Sequence, residues 1–232
     1  MSDLLNRRVA ALNQRYKDAE TADLLADVIG KEFNGRLSLV SSFGAESAVL
    51  LHLVAQVAPD IDVVFVDTGK LFGETKTYRD ELIARLGLTN IRTVKPRKPF
   101  IDKRDPKGRL WAENPNLCCF LRRVEPLERA LDGVEVWISG RKRFQSNGRA
   151  ELPLFEVQDG RIKINPLAGW SKAELDHYFE AHDLPRHPLE ADGYLSIGCM
   201  PCTDRVKPGE DIRAGRWRGR DKDECGIHTT IA

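Results

Sequence analysis

Five cysteines carry most of the reactive chemistry in this chain of 232 residues. Two are adjacent, Cys118-Cys119, and two are separated by two residues, Cys199-Met200-Pro201-Cys202. Four thiolates from two close pairs suit either a tetrahedral zinc ion or an iron–sulfur cluster. Adjacent cysteines make a poor zinc knuckle, because both side chains must reach one centre from neighbouring backbone positions. A cube of four irons accepts that arrangement more readily, which favours a [4Fe–4S] cluster. Buried, unliganded cysteines are the bland alternative, and two such pairs weigh against it. The fifth, Cys225, stands alone in Asp223-Glu224-Cys225-Gly226-Ile227-His228, downstream of Arg213-Ala214-Gly215-Arg216-Trp217-Arg218-Gly219-Arg220. A single cysteine near a chain end is by default incidental. Here arginines and His228 stand ready to lower the thiol pKa, the thiolate is the reactive form, and glycines 215, 219 and 226 would let the segment move. Those neighbours favour a nucleophile.

Such residues need elements to position them. Residues 3 to about 30 read as one helix, followed by a β-type run, Leu37–Val40, and a helix over Ala48–Val57 closed by Pro59. A second strand, Val63–Val66, precedes a helix over Glu74–Leu86 that Gly87 stops. Further strands are expected at Asn90–Val94 and Val134–Ile138. The alternation predicts an α/β fold, a mainly parallel sheet flanked by helices, with ligands beyond the carboxyl ends of the strands. Three loops lie there: 41–47, 67–73 and 139–149. From Pro185 the apolar periodicity fades, so the last 40 or so residues read as an arm lying over the domain.

The loop Ser41-Ser42-Phe43-Gly44-Ala45-Glu46-Ser47 joins a strand to a helix amino terminus, where free N–H groups and the helix dipole favour an anion. It is not a Walker loop, which ends in Gly-Lys-Ser/Thr, nor the Ser-Gly-Gly-x-Asp-Ser pyrophosphate loop. Charge is nearly balanced, 36 Lys+Arg against 35 Asp+Glu, which argues against a generic nucleic-acid-coating surface. The balance is uneven along the chain. Residues 1–90 carry a net −3 and residues 91–232 a net +4; the basic stretch 92–109 is either a solvated loop or an attractor of a small polyanion. No apolar run is long enough to span a membrane. The amino terminus lacks a signal-peptide pattern, so a cytoplasmic location is expected, where disulfides are rare.

Together these residues resemble a family. Ser42-Phe43-Gly44-Ala45-Glu46, Val66-Asp67-Thr68-Gly69 with Glu74-Thr75, and Cys118-Cys119-x-x-Arg122-x-x-x-Pro126-Leu127 carry part of the resemblance. Gly140-Arg141-x-Arg143-x-Gln145-Ser146, Gly193-Tyr194-x-Ser196-Ile197-Gly198-Cys199-x-Pro201-Cys202-Thr203, Arg213-Ala214-Gly215-Arg216-Trp217 and Glu224-Cys225-Gly226-x-His228 complete it. Over about residues 35–228 the chain resembles the assimilatory adenylyl-sulfate reductases, within the phosphoadenylyl-sulfate reductase family. The resemblance implies a pyrophosphate-loop fold, like the adenine-nucleotide α-hydrolases. It also implies reduction of adenylyl sulfate to sulfite and AMP, with thioredoxin or a glutaredoxin-like protein as reductant. Cys225 would attack the substrate sulfur, with His228 beside it. Ser42, Phe43, Gly44, Ala45, Glu46 and Ser47 would hold the nucleotide, and Arg141, Arg213 and Arg216 would steady the leaving phosphate. Cys118, Cys119, Cys199 and Cys202 would hold one [4Fe–4S] cluster. Because relatives specialised for the 3′-phosphorylated nucleotide generally lack those four, their retention points to adenylyl sulfate. The implied organisation is an N-terminal helical segment (1–34), a nucleotide-binding and iron–sulfur domain (35–204) and a mobile tail (205–232); members of the family often self-associate. Two positions depart from the family pattern: Arg123 where Lys is usual, and His187 where Asn is usual. Arg keeps the charge with a different reach.

Overall fold

A computed structural model describes residues 2–222 and 224–228. Six strands form one sheet in the order β3-β2-β1-β4-β6-β5. They are β1 (Leu37–Val40), β2 (Asp62–Val66), β3 (Ile91–Val94), β4 (Val136–Ile138), β5 (Phe155–Gln158) and β6 (Arg161–Ile164). All neighbours pair in parallel except β5 with β6. The central strands are apolar runs, as expected where helices cover both faces; Leu39, Val63, Val64, Phe65, Val136 and Ile138 are fully buried. The principal helices are α1 (Ser2–Arg15), α2 (Thr21–Asp27), α3 (Ser47–Ala55), α4 (Gly73–Leu86) and α9 (Lys172–Ala181). Four short ones lie between β3 and β4: α5 (Lys98–Arg104), α6 (Leu110–Glu113), α7 (Pro115–Cys119) and α8 (Glu125–Ala130).

The four strands expected from sequence are present, and Gly87 ends α4 in the left-handed conformation (φ 64°). Two features differ. The expected single helix over 3–30 is broken: residues 16–20 turn the chain, and α2 continues into a π-helical turn, Val28–Glu32. Val9, Leu12, Tyr16, Leu24, Leu25 and Val28 still join the main core. The hairpin β5–β6 was not foreseen. Its two-residue turn, Asp159-Gly160, has positive φ at both positions (49° and 74°), the geometry that matches strand twist. The exposed edge of β5 is covered by Asn13, whose side-chain amide donates to the Phe155 carbonyl (2.8 Å) and accepts from its N–H (2.9 Å). An otherwise open strand edge is thereby closed by one helix residue.

The chain runs β1-β2-β3 in one direction and then returns to place β4 on the other side of β1. This is the switch point where loops diverge and leave a crevice at the carboxyl ends of the strands. The loops after β1 and β4 flank that crevice, and the loop after β2 lies beside it. The chain beyond Pro185 lies over the same end, tied to the loop after β2 by the bridge Leu71–Cys199 and folded on itself by the bridge Thr203–Arg216. Gly215 is part of this closure for a steric reason. A Cβ there would collide with the Asp204 carbonyl oxygen, whose own N–H donates to the Gly215 carbonyl (2.8 Å). No described helix is long and apolar enough to cross a membrane.

Candidate active site

The loop after β1 is shaped by its serines. Ser41 Oγ accepts from the Phe43 N–H (3.2 Å) and Ser47 Oγ from the Gly44 N–H (2.9 Å). Phe43 adopts a left-handed φ of 47°. Its ring is fully buried, edge-on to Phe65 with centroids 5.4 Å apart. Burial of the ring offsets a backbone cost of order ~1 kcal/mol. Of the six loop residues expected to touch a nucleotide, Phe43 can therefore do so only through its backbone. Glu46 is also committed: its carboxylate accepts from Lys142 Nζ (2.9 Å) and Gln145 Nε2 (2.7 Å). It ties the loop after β1 to the loop after β4. Ser42, Gly44, Ala45 and Ser47 line the cavity between those loops, which measures about 180 Å³.

The other wall of that cavity is cationic. Arg123, Arg141, Arg149, Arg213 and Arg216 all line it, together with Cys225 and His228. Arg141 and Arg216 are each depressed to about 10, by burial first and then by neighbouring guanidiniums. Behind them the Lys163 side chain, fully buried on β6, is lowered to about 6 by burial, Arg141 and Arg149, so near pH 7 it is mostly the neutral amine and the crowded charges are the guanidiniums. Arg141 shares Glu156 with Lys163, so part of its charge is already offset. Such crowding of like charges in a low-dielectric crevice is relieved most directly by a bound anion.

Cys225 is 5 % exposed. Burial alone would raise its thiol, but the Arg123 guanidinium and the Ile227 N–H outweigh that and hold it below its ordinary pKa. Arg123 Nη1 is 3.7 Å from Cys225 Sγ, while its Nη2 is 3.8 Å from Cys199 Sγ. Arg123 thus spans two sulfurs. His228 lies nearly parallel to Trp137 with centroids 6.2 Å apart. Burial, then Lys163, Arg141, Arg149 and Arg123, hold it well below its usual pKa, so the ring is neutral. The sequence reading has His228 helping to activate the thiol by charge; in the structure Arg123 does so instead. Contacts from the hairpin and β4–β5 region seat this segment: Gln158 Nε2 donates to the Ile227 carbonyl (3.0 Å) and Arg149 Nε to Glu224 (2.7 Å).

All four remaining cysteines, with Cys225, line a second and smaller cavity beside the first. Asn114 caps α7 by accepting from the Leu117 N–H (2.9 Å) and Pro115 starts it. The following π-helical turn, Phe120–Val124, carries Arg122 and Arg123. Arg122 fixes this unit: its guanidinium donates to Asp105 (2.7 Å) and to the Thr68 carbonyl (3.0 Å). Cys199 is anchored from the loop after β2, where Met200 N–H donates to the Lys70 carbonyl (2.8 Å) and Thr68 Oγ1 lies 3.2 Å from Cys199 Sγ. Burial pushes Cys118 up to about 12 and Cys119 to about 11, with repulsion from neighbouring thiolates adding to both. All five cysteines are free. Among the described residues, no three His, Cys, Asp or Glu side chains have the tight arrangement of a single-ion site; the four thiols instead ring a shared space.

Apart from Phe43, whose ring is buried against Phe65, the residues expected from sequence line two adjoining cavities, with Arg123 and Cys225 lining both. It adds Arg149, Lys163, Gln158 and Trp137, which sequence reasoning missed. Arg149 had a signal, as a further cation in the loop after β4; the others are defined only by the unforeseen hairpin and its neighbours.

A strand-end loop, a cationic wall and a buried activated thiol define a nucleotide-type anion site with thiol chemistry, on a doubly wound α/β sheet. Residues 36–205 match the phosphoadenosine phosphosulfate reductase domain, and the chain belongs to that family. It is 48 % identical over 221 residues, 95 % of this chain and 87 % of the relative, to the adenosine 5′-phosphosulfate reductase of Mesorhizobium japonicum. The crystal structure of phosphoadenylyl-sulfate reductase from Candida auris, a phosphate complex, superposes with TM-score 0.72 at 28 % identity, covering 85 % of this chain and 96 % of that one. Yeast FAD synthetase shares the fold, with TM-score 0.54 at 15 % identity over 85 % of this chain and 74 % of that one.

Proposed function

We propose that this chain reduces adenylyl sulfate to sulfite and AMP, with Cys225 as the nucleophile. The observation that carries the reading is Cys225 itself: a buried thiol with a depressed pKa, facing a crevice walled by guanidiniums and by the strand-end loop. The Cys225 thiolate attacks the sulfur of the phosphosulfate anhydride. A sulfur–sulfur bond forms as the sulfur–oxygen bond breaks, and AMP departs with the electron pair. Arg141, Arg213 and Arg216 line the crevice into which that charge develops, and fixed cations there stabilise the transition state. Neutral His228 adds a polar ring with an unpartnered, buried Nδ1. The product is an S-sulfonate on Cys225.

A dithiol reductant of the thioredoxin or glutaredoxin type completes the cycle. Its thiolate attacks Cys225 sulfur, sulfite leaves, and its second thiol resolves the mixed disulfide, returning Cys225 as thiolate. Two electrons pass from the dithiol to the sulfonyl sulfur. That attack needs access to a thiol that is 5 % exposed, so the described part of the tail, residues 205–222 and 224–228, is read as closing for the first step and opening for the second; the rest of the expected tail 205–232 lies outside the described residues.

The four other thiols fit a [4Fe–4S] cluster. Their burial, mutual repulsion and common cavity are what a bound cationic core would offset, and Cys118, Cys119, Cys199 and Cys202 would hold it. When bound, such a group would partly neutralise the four thiolates and add rigidity, leaving a net anionic centre opposite the Arg123 bridge. Retention of these cysteines, together with the name of the Mesorhizobium relative, favours adenylyl sulfate over its 3′-phosphorylated form. Free cysteines throughout also fit a reducing cytoplasm.

The test is turnover with reduced thioredoxin on the two nucleotides in parallel, with iron and acid-labile sulfide measured on the same preparation. Sulfite from adenylyl sulfate, and its loss in Cys225→Ser, supports the reading. Stoichiometric zinc would overturn the cluster, and normal turnover by the serine variant would overturn the mechanism.

A further inference from the structure

Glu224 directly precedes the nucleophile, yet no step above uses it. Two carboxylates among the described residues line the crevice, Glu46 and Glu224. Glu46 is committed to Lys142 and Gln145. Glu224 is placed differently: it reaches from the tail segment into the cationic wall. Its Oε1 accepts from Arg149 Nε at 2.7 Å and also pairs with Arg149 Nη2, while Arg213 Nη2 stands 3.6 Å from its Oε2. The Glu224 side chain retains 19 % exposure, against 8 % for Arg149 and 13 % for Arg213. The anion is the more exposed partner, and Arg149, which belongs to the domain, is the more buried one.

We propose that Glu224 is a positioning residue that works as a built-in counter-anion. Its pair with Arg149 draws the Cys225 segment onto the domain, its pair with Arg213 lies within the tail, and it gives up both guanidiniums to the phosphate or phosphosulfate of a bound nucleotide. The inference rests on the reaction proposed above and assigns an exchange within the same site. A carboxylate and a dianion cannot both take the same faces of Arg149 and Arg213, because each good pairing uses the guanidinium N–H fork. Two consequences follow from linkage. Whatever free energy the pair contributes to the closed tail is subtracted from nucleotide binding. Removing the Glu224 charge therefore frees the arginines for ligand while loosening the hold on Cys225.

The experiment measures AMP affinity by calorimetry and, in the nucleotide-free protein, the rate of tail cleavage by trypsin, using the holoenzyme, Glu224→Gln and Glu224→Asp. The proposal expects AMP to bind Glu224→Gln roughly 5- to 30-fold more tightly, a normal size for coupling between two linked events. It expects trypsin to cleave the tail of the nucleotide-free protein faster in the same variant, because the pair that holds the tail is lost, with Glu224→Asp nearer wild type in both. The tightening must vanish when Glu224→Gln is placed on an Arg149→Met background. Unchanged or weaker AMP binding by Glu224→Gln would overturn the exchange, as would tightening that persists without Arg149. If wild-type protein binds neither AMP nor adenylyl sulfate, the nucleotide reading itself fails, an outcome separate from these.

Discussion

The crevice depends on two loops that leave different strands, and a single buried ion pair joins them. Lys142 is 2 % exposed and its Nζ lies 2.9 Å from Glu46 Oε2. At an effective dielectric of about 20, unit charges at that separation attract by about 6 kcal/mol gross, much of it cancelled by desolvation. Burial, the largest influence on Lys142, lowers its pKa even beside Glu46, so the desolvation cost is real. Lys142→Met removes the compensating cation and leaves the Glu46 carboxylate with only Gln145 as a side-chain donor. The expected loss is about 3–5 kcal/mol, the usual cost of breaking one side of a buried pair. Unfolding entropy scales with length and comes to about 0.5 kcal/mol/K for a chain of this size, so Tm should fall by about 6–10 °C. AMP affinity should weaken as well, since loop 41–47 loses its tether. The double variant Glu46→Gln with Lys142→Met removes both charges and should recover much of the lost Tm. Differential scanning calorimetry of the four proteins forms the cycle. A single-variant loss under about 1 kcal/mol, or a double variant that merely sums the two single losses, would refute the reasoning.

Three further outcomes are expected. His187, 1 % exposed and hydrogen-bonded to Thr75 Oγ1 (3.0 Å), is lowered to about 4, chiefly by burial. The unfolded chain then binds a proton between about pH 6.5 and 4 that the folded chain refuses, so stability is full above that window and falls by about 3 kcal/mol across it; His187→Asn should flatten that limb in thermal melts against pH. Arg123→Met should raise the Cys225 thiol pKa and slow its alkylation at pH 7, because the thiolate fraction falls as the pKa rises; an unchanged pH profile would remove Arg123 from the activation of Cys225. Gly215→Ala forces a methyl against the Asp204 carbonyl and should cost about 1–3 kcal/mol locally, exposing the arginines at 213 and 216 to faster tryptic cleavage while AMP still binds.

The parallel sheet was legible in the sequence because its strands are apolar runs between helices, and Gly87 and Pro59 punctuate them. The two cysteine pairs and Cys225 were legible because their residue types restrict the chemistry so strongly. The hairpin was missed although Asp159-Gly160 between Phe155–Gln158 and Arg161–Ile164 is a strong turn signal; Lys163 and Gln158 went with it. So did α9, whose capping box joins Ser171 and Glu174. Other features have no local signature. The break after α1 is set by tertiary packing, in which Tyr16 turns into the core and Asn13 closes the β5 edge. The pairing of Glu46 with Lys142 joins residues far apart in sequence, and sequence position says only that each is charged. The activation of Cys225 by Arg123 and the neutrality of His228 depend on burial, which composition does not reveal.

The central claim is a covalent one, and intact-protein mass analysis tests it most directly. The holoenzyme is incubated with adenylyl sulfate in the absence of any thiol reductant, then analysed whole and after digestion. The account predicts a mass increase of one sulfonate group, confined to the peptide containing Cys225, released on adding reduced thioredoxin and absent in Cys225→Ser. An unmodified Cys225 in protein that nevertheless turns over, or a sulfonate found on any of Cys118, Cys119, Cys199 and Cys202 instead, would contradict it.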